Sequence, residues 1–340
     1  MILVTGGTGL VGSHLLYKLI KNNEPVRAIY RRATKLDSVK KVFSYYTNDV
    51  EALFNRIEWV ETDINDIPAL SEAFKDITHV YHCAAFISFE PDKYHQLRKI
   101  NIEGTANMVN LCIANHIKKL CYVSSIAAIG HELEENKLIT EETSWNPEDD
   151  HSVYAITKYG AEIEVWRGTQ EGVDAVIVNP GVIMGPGFWR GGGSGSLINQ
   201  VYKGFPYYTN GITAYVDVDD VVDIMVRLMK SDIKNESFIV ISENLSFKDF
   251  QMKVAKALGV KPARKEAGKF LLQIGWRMDW LIHKLKGKRR KLSKQMAKTA
   301  LSKTVYDPSK LKEALNFEFM SMDESIEKVG NYFLKDLKQR

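Results

Sequence analysis

The chain has 340 residues, with 46 Lys+Arg against 42 Asp+Glu, 45% apolar residues, 9 prolines and 3 cysteines. Those proportions belong to an ordinary globular protein with a well-buried core, and they exclude a disordered chain, a collagen and a coiled-coil rod. No run reaches the roughly 18 unbroken apolar residues of a membrane span, and Cys83, Cys112 and Cys121 are too scattered for a disulfide framework or a zinc cage.

Met1 leads directly into ILVTGG with no basic n-region or cleavage site, so no signal peptide and a cytoplasmic location are expected. Over the first 125 residues, ILVT, VRAIY, IEWVE, HVYHCAA and KLCYVSS read as buried strands. SHLLYKLIKN, IPALSEAF and NIEGTANMVNLCIANH between them read as helices. This alternation predicts an α/β fold, a Rossmann-type doubly wound parallel sheet with helices on both faces. VDAVIVNP adds a strand closed by Pro180. After it come the Gly-rich MGPGFWRGGGSGSL, a strand in YVDVDDV expected to return to the main sheet, and a mainly helical last hundred residues.

Directly after the first strand stands Thr5-Gly6-Gly7-Thr8-Gly9-Leu10-Val11-Gly12, opening into a helix. The first glycine suits a tight turn, the second a close approach of backbone to pyrophosphate, and the third close helix-to-strand packing. A helix N-terminus there offers N–H groups and a positive dipole end to phosphates. An acid usually holds the ribose 2′-hydroxyl about 20 residues further on; here the second strand ends in Arg31-Arg32. Arginine suits a 2′-phosphate, so NADP(H) is expected, with NAD as the alternative. Asp63, before Ile64 at the end of the third strand, could accept from an adenine amino group. It could equally cap the next helix, as could Asp66.

Tyr-x-x-x-Lys puts both side chains on one helix face and occurs three times, as Tyr17/Lys21, Tyr154/Lys158 and Tyr306/Lys310. Tyr17 reads as packing and Tyr306/Lys310 straddles Pro308. Only Tyr154/Lys158 follows, by about thirty residues, a strand ending in a hydroxyl pair, Ser124-Ser125. A phenol near pKa 10 is a weak acid–base group at neutral pH, and a neighbouring ammonium is expected to lower that value. Tyr154 could then exchange a proton with a carbonyl oxygen that Ser125 orients.

These residues resemble those of the extended short-chain dehydrogenase/reductases. The matching text is TGGTGLVG at 5–12, Asp63-Ile64, HCAA at 82–85, NIEGT at 101–105, YVSS at 122–125, YAITK at 154–158, NPGVIMGPG at 179–187 and YVDVDDV at 215–221. The resemblance implies a catalytic group of Ser125, Tyr154 and Lys158, with Asn101 supporting a proton relay and Lys158 anchoring the nicotinamide ribose. It also implies cofactor contacts from Cys83, Ala84 and Ala85 and from Pro180, Gly181 and Val182. RAIYRR and VNPGVIMGPG are in the style of the dihydroflavonol-4-reductase and 3β-hydroxysteroid dehydrogenase branch. Ser125 is followed by IAAIG with no acid, and Asn179 stands where nucleotide-sugar enzymes usually carry an arginine.

The expected function is therefore an NADP(H)-dependent oxidoreductase interconverting a carbonyl and a secondary alcohol on a hydrophobic small molecule. A nucleotide-sugar epimerase or dehydratase with bound NAD and a non-catalytic NADPH-binding protein are the alternatives. Residues 1–180 plus about 212–242 are expected to hold the cofactor, and 181–211 plus 243–340 to form a substrate cap. Substrate-lining candidates are Phe86, Phe89, Ser125, Asn179, Ile183, Met184, Phe188 and Trp189, with Gly191–Ser196 as a lid or linker. No metal site and no nucleic-acid partner are expected, and the protein is read as a monomer or homodimer.

The formal +4 is unevenly placed: residues 261–303 carry 14 Lys+Arg against Glu266 and Asp279. Within that segment Gln273, Arg277, Lys284 and Lys288 share one helical face, and Leu272, Trp276 and Trp280 another. The helix near 269–291 could rest on an anionic membrane. The favoured expectation is a helix docked on the protein with its lysines in water.

Overall fold

The computed structural model describes residues 1–130, 138–189, 193–287, 290 and 292–339. Its strands are β1 (Ile2–Thr5), β2 (Val26–Tyr30), β3 (Glu58–Glu61), β4 (His79–His82), β5 (Lys119–Val123), β6 (Ala175–Pro180), β7 (Val182–Met184), β8 (Tyr207–Tyr208), β9 (Ile212–Asp217), β10 (Glu236–Val240), β11 (Glu243–Ser246) and β12 (Lys265–Glu266). Seven form one sheet in the order β10-β6-β5-β4-β1-β2-β3, with every neighbouring pair parallel.

Both faces of this sheet are covered, which is why its strands read as apolar runs without a polar side. Leu3, Val80, Leu120, Tyr122 and Ile177 face a layer holding Met108 and Cys112 of the helix Gly104–Ala114 and Ala161 and Val165 of the helix Val153–Gln170. Their neighbours Val4, Tyr81, Cys121, Val176 and Val178 face Leu15, Leu16 and Leu19 of the helix Leu10–Lys21 and Val221, Met225 and Leu228 of the helix Val218–Lys230. The strand order reverses between β1 and β4, so a crevice opens beyond their carboxyl ends, where such sheets bind ligands.

β9 corrects one expectation. It does not rejoin the main sheet but lies between β7 and β11 in a three-stranded sheet. The edge beside β6 is taken by β10. Gly181 turns the chain out of the main sheet, and a Cβ there would stand 2.5 Å from the Ala214 carbonyl oxygen, so β7 passes tightly against β9.

The small sheet and the C-terminal helix Met322–Lys338 share a further core of Met184, Trp189, Tyr215, Phe250, Val254, Ile326, Val329 and Phe333. Ser321 and Glu324 form a capping box that starts this helix. Lys328 reaches Asp217 at 2.8 Å and Asp219 at 3.0 Å. Asp336 accepts from Trp189 Nε1 at 2.7 Å and from the Tyr45 hydroxyl at 2.5 Å. Met184 and Trp189, expected beside substrate, are therefore interior packing residues: Met184 is fully buried, and the Trp189 N–H is committed to Asp336.

Candidate active site

The turn after β1 is built of backbone in close contact. Gly6 has φ +68°, and a Cβ on it would lie 2.6 Å from both Ala84 N and the Cys83 carbonyl carbon. A Cβ on Gly12 would stand 2.2 Å from the Gly6 oxygen. Gly9, the N-cap of the helix Leu10–Lys21, brings no side chain to its first turn, and that turn holds no acid. Its N–H groups are thus left for an anion, and the loop fits the pyrophosphate of a dinucleotide. Gly7, Thr8 and Val11 complete the loop; Leu10 reaches toward Gly185.

Arg31 and Arg32 emerge from β2 exposed, and Arg31 Nη1 lies 3.4 Å from Asp63 Oδ2. Asp63 also accepts from the backbone and side chain of Asn65, so its carboxyl is held below the ordinary range despite partial burial. The cap of the following helix is Asp66, which accepts from Ala69 N at 3.2 Å. Ile64 is buried against Gly104.

A polar chain that was not foreseen links the glycine loop to Asn101. Ala84 N donates to Thr5 Oγ1 at 3.2 Å, and Thr5 Oγ1 lies 2.6 Å from His82 Nδ1. His82 Nε2 lies 3.0 Å from Thr105 Oγ1, which donates to the Asn101 carbonyl at 2.6 Å. With Thr105 donating onward, it can accept only from an Nε2–H, so His82 is the neutral Nε2–H tautomer. Burial pushes its pKa down to about 3, helped by Lys158. Both residues stand inside quoted motifs, HCAA and NIEGT, but nothing in sequence spacing shows that they touch.

This burial has a measurable consequence. Between pH 6.5 and about 3 the unfolded chain binds a proton at His82 that the fold refuses. The stability from the neutral ring is fully present above that window and falls by about 1.4 kcal/mol per unit as pH drops through it. Urea unfolding across the window should show the slope. His82→Phe, which keeps the ring stacked on Tyr122, should flatten it.

Asn101 lies in a π-helical segment, Arg98–Glu103, of a kind that often marks functional sites. Its amide clamps two strips of chain: Oδ1 accepts from Phe86 N at 2.8 Å, and Nδ2 donates to Phe86 O at 3.0 Å and Thr157 Oγ1 at 3.1 Å. Ser125, just past β5, accepts from Ala127 N at 3.1 Å, and its hydroxyl acts to lower the Tyr154 pKa. The Phe89 ring meets Tyr154 edge-on at 5.5 Å.

Lys158 is buried one helical turn after Tyr154 and donates to the Tyr122 hydroxyl at 2.7 Å and the Val123 carbonyl at 2.9 Å. Burial pushes its pKa down to about 7, against the pull of Glu162 and Cys83. The expected lowering of the Tyr154 pKa is accordingly not found. Burial raises it to about 12, offset in part by Ser125. Cys83 is pushed up to about 12 by the same desolvation and stays a thiol.

Glu162, another turn along, was missed in the sequence. Its carboxylate accepts from Ser124 Oγ at 2.6 Å and Asn179 Nδ2 at 2.9 Å, and burial raises its pKa. Asn179 Nδ2 also donates to Ser125 O at 3.1 Å, so Asn179 steadies the backbone of Ser125. Its Oδ1 is buried without a partner among the described residues. Val182 and Ile183 are half-buried; Ile183 packs on the main core, and Phe188 is half-buried at φ +56°. Ala85 is exposed, and Pro180 ends β6 buried. Tyr17 stacks on Tyr46, and Lys310 pairs with Glu236, so neither other Tyr-x-x-x-Lys joins the site. Gly191 and Gly192, at the start of the expected Gly191–Ser196 lid or linker, lie outside the described residues.

A parallel sheet with a glycine-lined crevice at its switch point, in a chain with reductase and epimerase relatives, defines an NAD(P)-dependent enzyme of the extended short-chain dehydrogenase/reductase type. The model of the NAD dependent epimerase/dehydratase family matches residues 2–241, and the chain belongs to that family. A protein of Synechocystis sp., provisionally named dihydroflavonol 4-reductase, is 26% identical over 97% of this chain and 93% of its own length. The UDP-glucose 4-epimerase of Vibrio cholerae is 29% identical over 70% of each chain. The crystal structure of gox2253 superposes with a TM-score of 0.81 at 24% identity, covering 99% of this chain and 98% of that one, and shares the fold.

Proposed function

We propose that the chain is an NADP(H)-dependent oxidoreductase that interconverts a carbonyl and a secondary alcohol on a hydrophobic small molecule, with Tyr154 as the acid and base. The observation that carries this reading is the buried Tyr154 phenol, flanked by the Phe89 ring, with buried Lys158 one helical turn along. The Synechocystis relative, similar along nearly its whole length, supports the reductase side.

The reduced nicotinamide, when bound, supplies the hydride that goes to the carbonyl carbon. A phenol with a pKa near 12 is protonated at neutral pH, the form needed to donate to the developing alkoxide. Ser125 accepts from Ala127 N, which leaves its own proton free to hold the same oxygen in line. Lys158, titrating near 7, supplies positive charge one turn away as the phenolate forms. Phe89, exposed and edge-on to Tyr154, gives the site an apolar flank, which favours a hydrophobic compound over a sugar nucleotide. Division of labour follows the sheets: the seven-stranded sheet holds the cofactor, while the small sheet and C-terminal helices form the cap.

The arginine pair at the end of β2 supports NADP(H). Arg31→Asp is expected to raise the KM for NADPH by about tenfold to a hundredfold, with little change for NADH. Steady-state kinetics with both coenzymes measure it, and an NADH preference in the wild type would sink the assignment. The epimerase reading is favoured by the similarity to the Vibrio cholerae enzyme. It predicts NAD that stays bound through purification and turnover without net change in cofactor redox state.

A further inference from the structure

The helix Lys269–Lys286 has two apolar faces, and only one is used. Leu272, its one buried residue, and Trp276 sit in a small cluster with Tyr207, Ala267, Ala297 and Ala300. To that extent the helix is docked, as its sequence suggested. The other face was not foreseen. Phe270 is 80% exposed, Leu285 73% and Met278 53%, and Leu271, Ile274, Leu281 and Ile282 all exceed 40%.

At the 3.6-residue helical period these seven positions fall within about 120° of arc, facing away from Leu272. The docked-helix expectation put lysines in water; the structure puts a continuous apolar stripe there. Cations border it: Arg277 and Lys284 along one edge and Lys286 along the other. Arg277 lies 4.4 Å over the Trp276 ring and Lys284 5.3 Å over the Trp280 ring. Trp280, 45% exposed, stands at that edge with one side apolar and the other wet. Lys288, Arg289 and Lys291 of the basic run lie outside the described residues.

A contiguous apolar face of this kind in a globular protein marks an interaction surface. Charge chooses the occupant. Residues 261–303 carry 14 Lys+Arg and 2 acids, whereas the remaining chain holds 32 and 40. A second copy pairing through the same face would bring two such segments together. A bilayer with anionic headgroups offers apolar depth under the stripe and phosphates beside its edges. No helix among the described residues is long and apolar enough to cross a membrane, so the contact is peripheral.

We propose that the helix Lys269–Lys286 lies in the surface of an anionic lipid bilayer, with the Phe270–Leu285 stripe in the acyl boundary and its flanking cations at the phosphates. The test is cosedimentation of the full chain at physiological salt with vesicles of phosphatidylcholine alone or mixed with phosphatidylglycerol. Wild type is expected to pellet with the anionic vesicles, and less so as salt is added. The double variant Phe270→Glu/Leu285→Glu is expected to lower partitioning about a hundredfold. Both positions are solvent-exposed, so the variant keeps its unfolding temperature and its turnover in vesicle-free solution. Three outcomes overturn the proposal: wild type staying in the supernatant, equal binding of variant and wild type, or a solution dimer that the double variant dissociates with no vesicle binding.

Discussion

Tyr154→Phe is expected to lower kcat for carbonyl reduction by about three orders of magnitude while leaving the affinity for NADPH within about twofold. The substitution removes one oxygen and nothing else that packs. The ring stays against Phe89, and Ser125 keeps its bond to Ala127 N. What disappears is the phenolic proton, the acid of the proposed reaction. An effect on kcat without one on cofactor binding separates a proton donor from a packing residue. A ketone and aldehyde panel, read at the reduced-cofactor absorbance band, measures the first quantity and a fluorescence titration the second. Unchanged kcat would remove Tyr154 from the chemistry.

Gly12→Ala is expected to be the most damaging single-methyl addition in the nucleotide turn. The new Cβ would meet Gly6 O at 2.2 Å, Gly6 C at 2.7 Å and Gly7 Cα at 2.8 Å. All three are backbone atoms, so no rotamer relieves the contact and the turn must open. Overpacking of this kind costs about 1–3 kcal/mol, and an opened turn no longer aims its N–H groups at a pyrophosphate. Thermal unfolding should fall by several degrees, and dinucleotide affinity by about a hundredfold. Gly268→Ala is the control, because a Cβ there meets nothing within 4 Å. If both variants bound cofactor equally, the turn would not be the pyrophosphate site.

The main sheet was legible because it is buried on both faces: each of its first six strands announced itself as a β-branched or aromatic run between helical periods. The short helices Leu36–Phe43 and Val50–Phe54 passed unnoticed, since five to eight residues carry too little periodicity to be read. The misplacement of β9 has a similar origin. Its apolar text suits either sheet, and only the close approach of Gly181 to Ala214 decides between them. Motif order brought Ser125, Tyr154 and Lys158 to attention, whereas the direction in which Lys158 points depends on Tyr122, thirty-six residues earlier. Glu162, His82 and Thr105 act through contacts across the fold, and no local pattern carries those. The exposed stripe on the Lys269–Lys286 helix was hidden for another reason. Apolar residues run almost around that helix, and sequence alone does not say which face finds a partner.

The helix Met322–Lys338 closes contacts with partners far back in the chain. Asp336 meets Tyr45 across 291 residues, Tyr332 donates to the Tyr45 carbonyl across 287, and Ser325 meets Asp217 across 108. On the ribosome the seven sheet strands emerge by Val240, long before these partners exist. Without that helix the Trp189–Phe250–Val254 surface would lack Ile326, Val329 and Phe333, and Asp217 would lack Lys328. A nascent chain whose sheet assembled before this helix emerged would carry an open cap surface, a state suited to capture by chaperones. Ribosome-bound chains stalled near residue 320 should be proteolysed within the segment 182–260, and chains in which Met322–Lys338 has emerged should resist.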